Sequence, residues 1–267
     1  MASNIELLWI SNSIADIALA LKAGVDWIFL DIESIGKESR QPAGSFISDH
    51  SIDDVERVRA VFPEANLLLR INPLNQTTED EINRSVDAGI DAIMLPFFKT
   101  NSELEQVISL IDGRCRFWPL VETVEACEMV TQGHLSGKCI DRVHVGLNDL
   151  RLQLGCRFMF SPLLDSRVSS AINHLRCNDS PFGIGGVSTL DSGLLPGRDV
   201  LSLHHCLGST AVILSQDFRR LVTPDGLISE VTRLRDHWAS LCNVEECLPD
   251  WKATILNSIR TIESGEV

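Results

Sequence analysis

Two acidic residues follow neighbouring apolar segments of the chain and have the chemistry of a metal site. Glu122 comes directly after the segment 117–121, and Asp149 comes shortly after the segment 142–145. If these segments are adjacent parallel strands, their carboxyl ends meet at one edge and bring both carboxylates together. Carboxylate oxygens, with positions left open for water or substrate, suit Mg²⁺ or Mn²⁺. We therefore predict that Glu122 and Asp149 bind a divalent metal ion; the alternative is a helix cap or a surface ion pair.

Arg70 lies near the end of another apolar segment, residues 67–71, and adds a positive charge to this set. It lies in the run Leu-Leu-Arg-Ile-Asn, and its guanidinium can donate two parallel hydrogen bonds to a carboxylate or an oxyanion. A divalent ion that chelates the carboxylate and keto oxygens of a 2-oxo acid lowers the barrier to its enolate, and Arg70 would stabilise the oxyanion. The alternative is that Arg70 only pairs with a neighbouring carboxylate such as Glu33.

The elements that must position these residues alternate along the chain. Short apolar runs, separated by longer amphipathic segments, are typical of parallel strands buried between crossover helices. The predicted strands are residues 5–10, 27–32, 67–71, 92–95, 117–121, 142–145, 182–184 and 211–214. The predicted helices are residues 14–23, 52–61, 79–88, 102–111, 124–132, 165–176 and 200–207. Gly24, Gly89 and Gly208 each end a helix before a strand, where glycine takes the left-handed conformation.

This pattern predicts a (β/α)8 TIM barrel with extra C-terminal helices. The 267 residues suit one such barrel, which typically takes about 250 residues, so we predict a single domain over 1–267. The segment 221–267 is predicted to form C-terminal helices that pack outside the barrel or on another subunit. An open doubly wound sheet is the competing architecture, but residues 10–13 are not the Gly-rich first turn that it normally shows.

Composition and charge restrict the class of partner. The formal net charge of −14 would repel nucleic acid and anionic membrane surfaces, so neither is an expected partner. A small anionic substrate would need local positive charge or a metal ion. No apolar run approaches the ~20 residues that span a bilayer, and no signal peptide is evident, so we expect a cytoplasmic protein. The cysteines form no Cys-x-x-Cys pair, which argues against a zinc site.

Five runs of residues together resemble a known family. They are Phe-Leu-Asp-Ile-Glu (29–33), Leu-Arg-Ile-Asn (69–72), Met-Leu-Pro (94–96), Pro-Leu-Val-Glu-Thr-Val-Glu-Ala (119–126) and Val-Gly-Leu-Asn-Asp-Leu-Arg-Leu-Gln-Leu-Gly (145–155). In this order they resemble the HpcH/HpaI aldolase and citrate lyase beta-subunit family, from about residue 5 to residue 217. The resemblance implies a pyruvate- or phosphoenolpyruvate-type barrel, a divalent cation and a homo-oligomer. It also implies that Glu122 and Asp149 are metal ligands and that Arg70 binds the oxyanion and carboxylate.

Three further residues are candidates for substrate binding. Leu147 and Asn148 belong to the Gly-x-Asn-Asp-Leu motif that contains Asp149. Gly185 lies in Gly183-Ile184-Gly185-Gly186, where backbone amides can approach a carboxylate or phosphate. The alternative for these glycines is that they only permit a tight turn.

The chain departs from the pyruvate aldolases of this family at the expected proton carrier. Those enzymes carry histidine after Asp-x-Glu, where this chain has Ser34. His50, which introduces the next predicted helix, is one candidate for proton transfer, and a metal-bound water steered by Glu33 is the other. The alternative for His50 is an exposed histidine at a helix start.

The stretch 31–40 also resembles the citrate lyase side of the family. This resemblance implies that Lys37 and Arg40 contact an anionic substrate. For Lys37, however, we expect a position in a solvated loop.

These residues predict a carbon–carbon lyase, specifically a metal-dependent aldolase of the class II type. It would join or separate a pyruvate-like 2-oxo acid enolate and an aldehyde. Two alternatives stay open. One is a citrate lyase-like enzyme that acts on an acyl-CoA, and the other is a barrel that binds a metabolite without turning it over.

Overall fold

Eight parallel strands close into a barrel in chain order, as predicted. The computed structural model describes residues 4–37, 48–241 and 248–265. The strands are β1 (Glu6–Ile10), β2 (Trp27–Asp31), β3 (Asn66–Arg70), β4 (Ala92–Leu95), β5 (Arg116–Val121), β6 (Val143–Val145), β7 (Phe182–Val187) and β8 (Ala211–Leu214). Each strand pairs with the next, and β1 pairs in parallel with both β2 and β8, which closes the sheet.

All seven predicted helices are present, with ends that differ by up to three residues. The described helices are α1 (Ile14–Ala23), α2 (Asp53–Val61), α3 (Thr78–Asp87), α4 (Asn101–Ile111), α5 (Val124–Thr131), α6 (Leu147–Gln153), α7 (Ser166–Cys177), α8 (Gly197–Leu207), α9 (Gln216–Leu221), α10 (Leu227–Leu241) and α11 (Leu248–Ser264). The sequence pattern does not predict helices α6 and α9, because each has only about two turns and is too short to show a helical period.

Burial on both faces of the strands explains their continuous apolar sequence. Outward-facing residues such as Leu7, Ile28 and Leu69 pack beneath the helices. The barrel interior is filled by a second set, namely Leu8, Trp27, Phe29, Leu68, Ala92, Met94, Trp118, Leu120 and Ala211. Gly24, Gly89 and Gly208 have φ angles of 90°, 87° and 85°, which confirms the predicted left-handed ends of α1, α3 and α8.

The N-terminal end of the barrel is closed by aromatic and charged side chains. Trp27 and Trp118 meet with ring centroids 4.7 Å apart. Glu6 accepts a hydrogen bond from Trp27 Nε1 at 2.6 Å and pairs with Arg142, whose guanidinium lies over Trp118. Glu6, Trp27 and Arg142 therefore satisfy one another at this end, and the carboxyl ends of the strands are left to form the functional cavity.

The C-terminal helices pack on this chain's own barrel. Helix α10 contacts α1 and α8, and α11 contacts α8 and the 3-10 turn Ser161–Leu164. Glu263 of α11 accepts hydrogen bonds from the backbone of Arg157 and Phe158 and from the Ser161 hydroxyl. Exchange of these helices with a neighbouring subunit stays a prediction. Of the helices in the described ranges, none has the length and apolarity to cross a membrane.

Candidate active site

A cavity of about 450 Å³ opens at the carboxyl ends of the strands. It is lined by six of the predicted site residues, namely Arg70, Glu122, Leu147, Asn148, Asp149 and Gly185. Asp31, Lys37, His144 and Arg219 line it as well. Two predicted catalytic residues, Glu33 and His50, are not among the lining residues.

Glu122 and Asp149 reach this cavity from consecutive βα units. Glu122 follows β5, is only 3% exposed, and its Oε1 accepts a hydrogen bond from the Phe97 amide at 3.0 Å. Asp149 lies in the first turn of α6, because the helix begins directly after β6 and Gly146. A Cβ atom on Gly146 would lie 2.8 Å from Glu122 Cβ and 3.0 Å from Glu122 Oε2. Glycine at 146 is therefore what leaves room for the Glu122 carboxylate beside α6.

This donor set fits a hard divalent cation with open coordination positions. Carboxylate oxygens are the ligands that Mg²⁺ and Mn²⁺ prefer, and both ions commonly keep water or substrate as further ligands. Within the described ranges, no group of three or more His, Cys, Asp or Glu side chains could hold a metal. Glu122 and Asp149 would accordingly supply two protein ligands, and water or substrate would supply the rest.

Arg70, the last residue of β3, forms a two-point ion pair with Asp31. Its Nε and Nη2 donate to Asp31 Oδ1 and Oδ2 at 2.9 and 2.7 Å, and its Nε lies 3.3 Å from Glu33 Oε2. The pairing with Glu33, which the sequence offered as an alternative, is confirmed. The donor face formed by Nε and Nη2 of Arg70 is thus directed at Asp31 rather than at a substrate, and Nη1 and the second hydrogen of Nη2 are the donors that a ligand would use.

Charges determine the ionisation of this pair. Burial alone would raise the pKa of Asp31, but the charges and hydrogen bonds of Arg70 and Lys37 lower it well below its usual range. Burial alone would lower the pKa of Arg70, but Asp31 and Glu33 raise it. Both groups are therefore charged throughout the neutral range.

Lys37 is buried, so its predicted position in a solvated loop is wrong. The side chain is 4% exposed, and its Nζ lies 3.0 Å from Asp31 Oδ2 and 3.6 Å from Glu33 Oε2. The reason is a turn in which the Lys37 amide donates to the Ser34 carbonyl and Gly36 adopts a φ of 72°. The turn directs Lys37 back toward the end of β2. Arg40, the other predicted anion contact, lies outside the described residues.

Asn72 holds the start of this turn in place. Its Oδ1 accepts hydrogen bonds from the amides of Ser34 and Ile35 at 2.9 and 3.0 Å. The backbone amide of Asn72 donates to Oε2 of Glu81, and its side-chain Nδ2 donates to Oε1 of the same residue, which is a buried residue of α3. Asn72, a polar residue that follows β3, thus positions the loop that carries Lys37.

His50 lies against the end of β2 without lining the cavity. Its Nδ1 accepts the Asp31 amide hydrogen bond at 3.0 Å, so the neutral ring carries its proton on Nε2. Burial lowers the pKa of His50, although the nearby carboxylates of Asp31, Asp54 and Asp49 oppose this effect. A direct role for His50 in proton transfer stays a prediction.

Gly185 approaches the cavity from a strand that is longer than predicted. Strand β7 continues to Val187, with an irregular register between Gly183 and Gly186, and Gly185 has a φ of 43°. A Cβ on Gly185 would lie 2.9 Å from Leu147 Cδ1. Glycine here lets β7 pack against α6, and the approach of its backbone amide to a carboxylate or phosphate stays a prediction.

Comparisons with known proteins agree with this geometry. A model of the HpcH/HpaI aldolase/citrate lyase family matches residues 6–158, more than half of the chain, including Arg70, Glu122 and Asp149. The chain belongs to this family. The resemblance carried by the sequence motifs is therefore confirmed, and the family is one of aldolases and lyases.

A solved HpcH/HpaI aldolase from Desulfitobacterium hafniense DCB-2 shares the fold. It is 12% identical, the alignment covers 91% of this chain and 93% of that one, and the TM-score is 0.61. A comparison with curated protein sequences gives no significant match.

His144 and Arg219 are cavity residues of this HpcH/HpaI family member that sequence reasoning missed. His144, in the middle of β6, is completely buried, and its ring Nε2 lies 3.2 Å from the Gly185 carbonyl oxygen. Burial lowers its pKa to about 4, although the Gly185 contact opposes this. Arg219 belongs to the short helix α9, beyond the region that matches the family. Neither residue stands directly after an apolar run, which is the sequence signal that indicates a residue at the mouth of such a barrel.

The other polar residues after β8 have local roles. Ser215 caps α9 by accepting a hydrogen bond from the Phe218 amide, and Asp217 is exposed and pairs with Arg220 at 2.9 Å. A larger cavity of about 680 Å³ lies at the opposite end of the barrel, between Asp91, Arg116 and Asp141. Active sites of such barrels lie at the carboxyl ends of the strands, so the smaller cavity is the candidate active site.

Proposed function

We propose that this protein is a divalent-metal-dependent aldolase or lyase that acts next to a 2-oxo acid. It would form or cleave the bond between a pyruvate-like enolate and an aldehyde. The observation that supports this function best is that Glu122, Asp149 and Arg70 line one cavity at the carboxyl ends of the strands. Two metal-type carboxylates beside one arginine suit the carboxylate and keto oxygens of such a substrate.

Glu122 and Asp149 would hold Mg²⁺ or Mn²⁺. When bound, the ion would supply Lewis-acid activation of the substrate oxygens. Arg70 would donate from Nη1 to the developing enolate oxygen, while Asp31 fixes the orientation of its guanidinium. A donor fixed before the reaction needs no reorganisation when charge develops.

The rest of the cavity is suited to excluding water. Phe29, Met94, Leu120 and Ile213 form apolar parts of its wall. By excluding water, this apolar part of the wall would strengthen the interaction of Arg70 with an oxyanion. Leu147, Asn148 and Gly185 line the same cavity and are the proposed contacts for the remainder of the 2-oxo acid.

Exchange of the methyl protons of pyruvate in D2O tests this function. We expect the protein with Mg²⁺ or Mn²⁺ to catalyse exchange, observed by proton NMR, and Glu122→Gln and Asp149→Asn to abolish it together with Mn²⁺ binding. Glu128→Gln, an exposed residue of α5, is the matched control and should retain both. Absence of exchange with every divalent ion would contradict the proposal.

The same measurements separate the two alternatives. A metabolite-binding barrel without catalysis would bind Mn²⁺ and pyruvate but exchange no protons. A citrate lyase-like enzyme would cleave a malyl-type acyl-CoA thioester and would leave free pyruvate unexchanged.

A further inference from the structure

We propose that the cavity of about 680 Å³ at the amino end of the barrel binds a guanidino compound, a small molecule whose guanidinium group donates to Asp141. This cavity lies opposite the candidate active site, so the proposal does not depend on the proposed function. Two arginine sites elsewhere in the barrel support it, because the same backbone pattern forms a third copy in which serine takes the place of arginine.

Three pairs of strands begin with the same aspartate contact. In each pair, an aspartate before the second strand accepts a backbone amide of the first strand through Oδ2 and donates its own amide to the carbonyl of the same residue. The aspartates are Asp26, Asp91 and Asp141, before β2, β4 and β6, and their partners are Leu7, Leu67 and Phe117, at Oδ2 distances of 2.7, 2.7 and 2.8 Å. The amino ends of β1/β2, β3/β4 and β5/β6 thus share one repeated geometry.

At the β3/β4 pair, this geometry binds Arg59 of α2. The guanidinium donates to the carbonyl oxygens of Ala65 and Gly89 at 2.8 and 2.9 Å and pairs with Asp91. Ala65 stands two residues before Leu67, and Gly89 stands two residues before Asp91. Two carbonyls and one carboxylate therefore surround the planar cation.

At the β1/β2 pair, the equivalent acceptors bind Arg235 of α10. Its guanidinium donates to the carbonyl oxygen of Ile5 at 3.1 Å and to that of Gly24, and it pairs with Asp26 at 2.8 Å. This arginine comes from a different part of the chain than Arg59 does, yet it meets the same acceptors. The acceptors, and not the helix that carries the arginine, therefore define a guanidinium site.

At the β5/β6 pair, the same acceptors line the cavity. They are the carbonyls of Cys115 and Cys139 and the carboxylate of Asp141. Ser109 takes the place of Arg59, since each lies two residues before the end of its helix and the loops from α2 to β3 and from α4 to β5 have equal lengths. Across residues 4–37, 48–241 and 248–265, no cation pairs with Asp141 and neither carbonyl accepts a hydrogen bond. The short side chain of Ser109 therefore borders a cavity where Arg59 fills the corresponding space.

The cations that line this cavity are engaged elsewhere. Arg114 donates to two carbonyl oxygens at the end of α4, and Arg116 lies over the ring of Trp27 at 5.5 Å from its centre. Lys138 pairs with Glu105 at 2.7 Å. Asp141 is thus left to a cation from outside the chain.

The shape of the cavity suits a guanidino compound with an aliphatic chain. A guanidinium is planar and presents its donors in a fixed fork, which matches three acceptors arranged around it better than a compact ammonium does. Ile108, Ile111 and Ile140 provide an apolar wall for the methylene groups. The volume lies within the range of about 300–1,000 Å³ that is typical of small-molecule sites.

Titration calorimetry with L-arginine, agmatine and L-citrulline tests this site. Citrulline is the matched probe, because a neutral urea group replaces the guanidinium of arginine with nearly the same shape. We expect saturable one-to-one binding of arginine or agmatine and no binding of citrulline. Binding of agmatine, which has no carboxylate, would show that the guanidinium is sufficient. If neither guanidino compound binds, or if citrulline binds as tightly, the proposal is overturned.

Two variants locate the bound compound. Asp141→Asn removes the carboxylate charge and should weaken binding about tenfold or more. Ser109→Arg supplies a guanidinium from the chain itself, as Arg59 does at β3/β4, and should abolish binding of the free compound. Asp112→Asn is the matched control, because Asp112 lines the same cavity and its φ of 49° is one that asparagine tolerates.

Wild-type affinity in either of these two variants would overturn the proposal, whereas Asp112→Asn should bind like the wild type. If Asp141→Asn does not fold, Ser109→Arg is decisive, since its exposed position tolerates a longer side chain.

Discussion

Lys37 and Arg70 donate to the same atom, Oδ2 of Asp31, at 3.0 and 2.7 Å. Glu33 stands beside both cations, so the buried charge of Lys37 and the largely buried charge of Arg70 face two buried negative charges at the edge of the cavity. Because each charge in this cluster is compensated by its neighbours, the removal of one leaves the others uncompensated. Asp31, which contacts both cations, is the residue whose loss should matter most.

Asp31→Asn should destabilise the protein and reduce catalysis. Breaking a buried ion pair by removing one partner typically costs about 3–5 kcal/mol, and Arg70 would also lose the contact that orients it. Urea unfolding measures the first effect, and pyruvate proton exchange measures the second. Asp53→Asn is the control, because Asp53 is 83% exposed in its pair with Arg84 and should change stability by less than about 1 kcal/mol. Equal effects of both substitutions would contradict the importance of the buried cluster.

Glu33→Gln should slow proton exchange more than His50→Gln does. Glu33 is buried within 3.6 Å of Lys37, whereas Nδ1 of His50 is occupied by the Asp31 amide and cannot accept a substrate proton while that hydrogen bond persists. A role of Glu33 in proton transfer predicts a loss of about tenfold or more in exchange rate. Exchange rates of both variants at saturating metal provide the measurement. A larger loss for His50→Gln would instead favour histidine as the proton carrier.

Gly146→Ala should weaken metal binding without unfolding the barrel. The added Cβ would lie 2.8 Å from Glu122 Cβ, so the carboxylate of Glu122 must move. Misorientation of a metal ligand typically costs about 10–100-fold in affinity, which a Mn²⁺ titration followed by electron paramagnetic resonance would measure. Gly226→Ala, in the 3-10 turn before α10, tests the same substitution away from the cavity. Unchanged Mn²⁺ affinity in Gly146→Ala would argue against Glu122 as a ligand.

Stability should fall as the pH drops below about 6.5. Burial lowers the pKa of His144 to about 4 and that of His204 to about 3, whereas an unfolded histidine titrates near pH 6.5. The unfolded chain therefore binds protons first, and each histidine should remove about 1.4 kcal/mol of stability per pH unit down to its folded pKa. Urea unfolding at pH 7.0, 6.0 and 5.0 gives this slope. His144→Leu should reduce it and His134→Asn, an exposed residue, should not; a flat profile would contradict the assignment.

The barrel could be predicted from sequence because its signals are local. Buried parallel strands require continuous apolar runs, and the left-handed ends of α1, α3 and α8 require a residue such as glycine. Arg70, Glu122 and Asp149 could be predicted for a similar reason, since a polar residue at the carboxyl end of such a strand, or just after it, faces the cavity.

The remaining site residues depend on tertiary contacts that leave no local signal. Lys37 is buried because Asn72 holds the preceding loop and Asp31 attracts the ammonium group, and neither contact follows from residues 34–37 alone. Arg219 sits on a helix of six residues, too short for a helical period to show which face it presents. The two-point pairing of Arg70 with Asp31 likewise follows from the register of β2 and β3, which sets residue 31 opposite residue 70.

The closed floor formed by Trp27, Trp118 and the Glu6–Arg142 pair has a kinetic consequence. Substrates and products can pass only through the open end of the cavity. The molecule that binds deepest must therefore bind first and leave last. If a 2-oxo acid binds at Glu122, deeper in the cavity than the aldehyde, the synthetic reaction would have a compulsory order in which the acid binds first. In the cleavage direction the aldehyde would leave before the acid, and the acid would then be the product that competes with the incoming aldol.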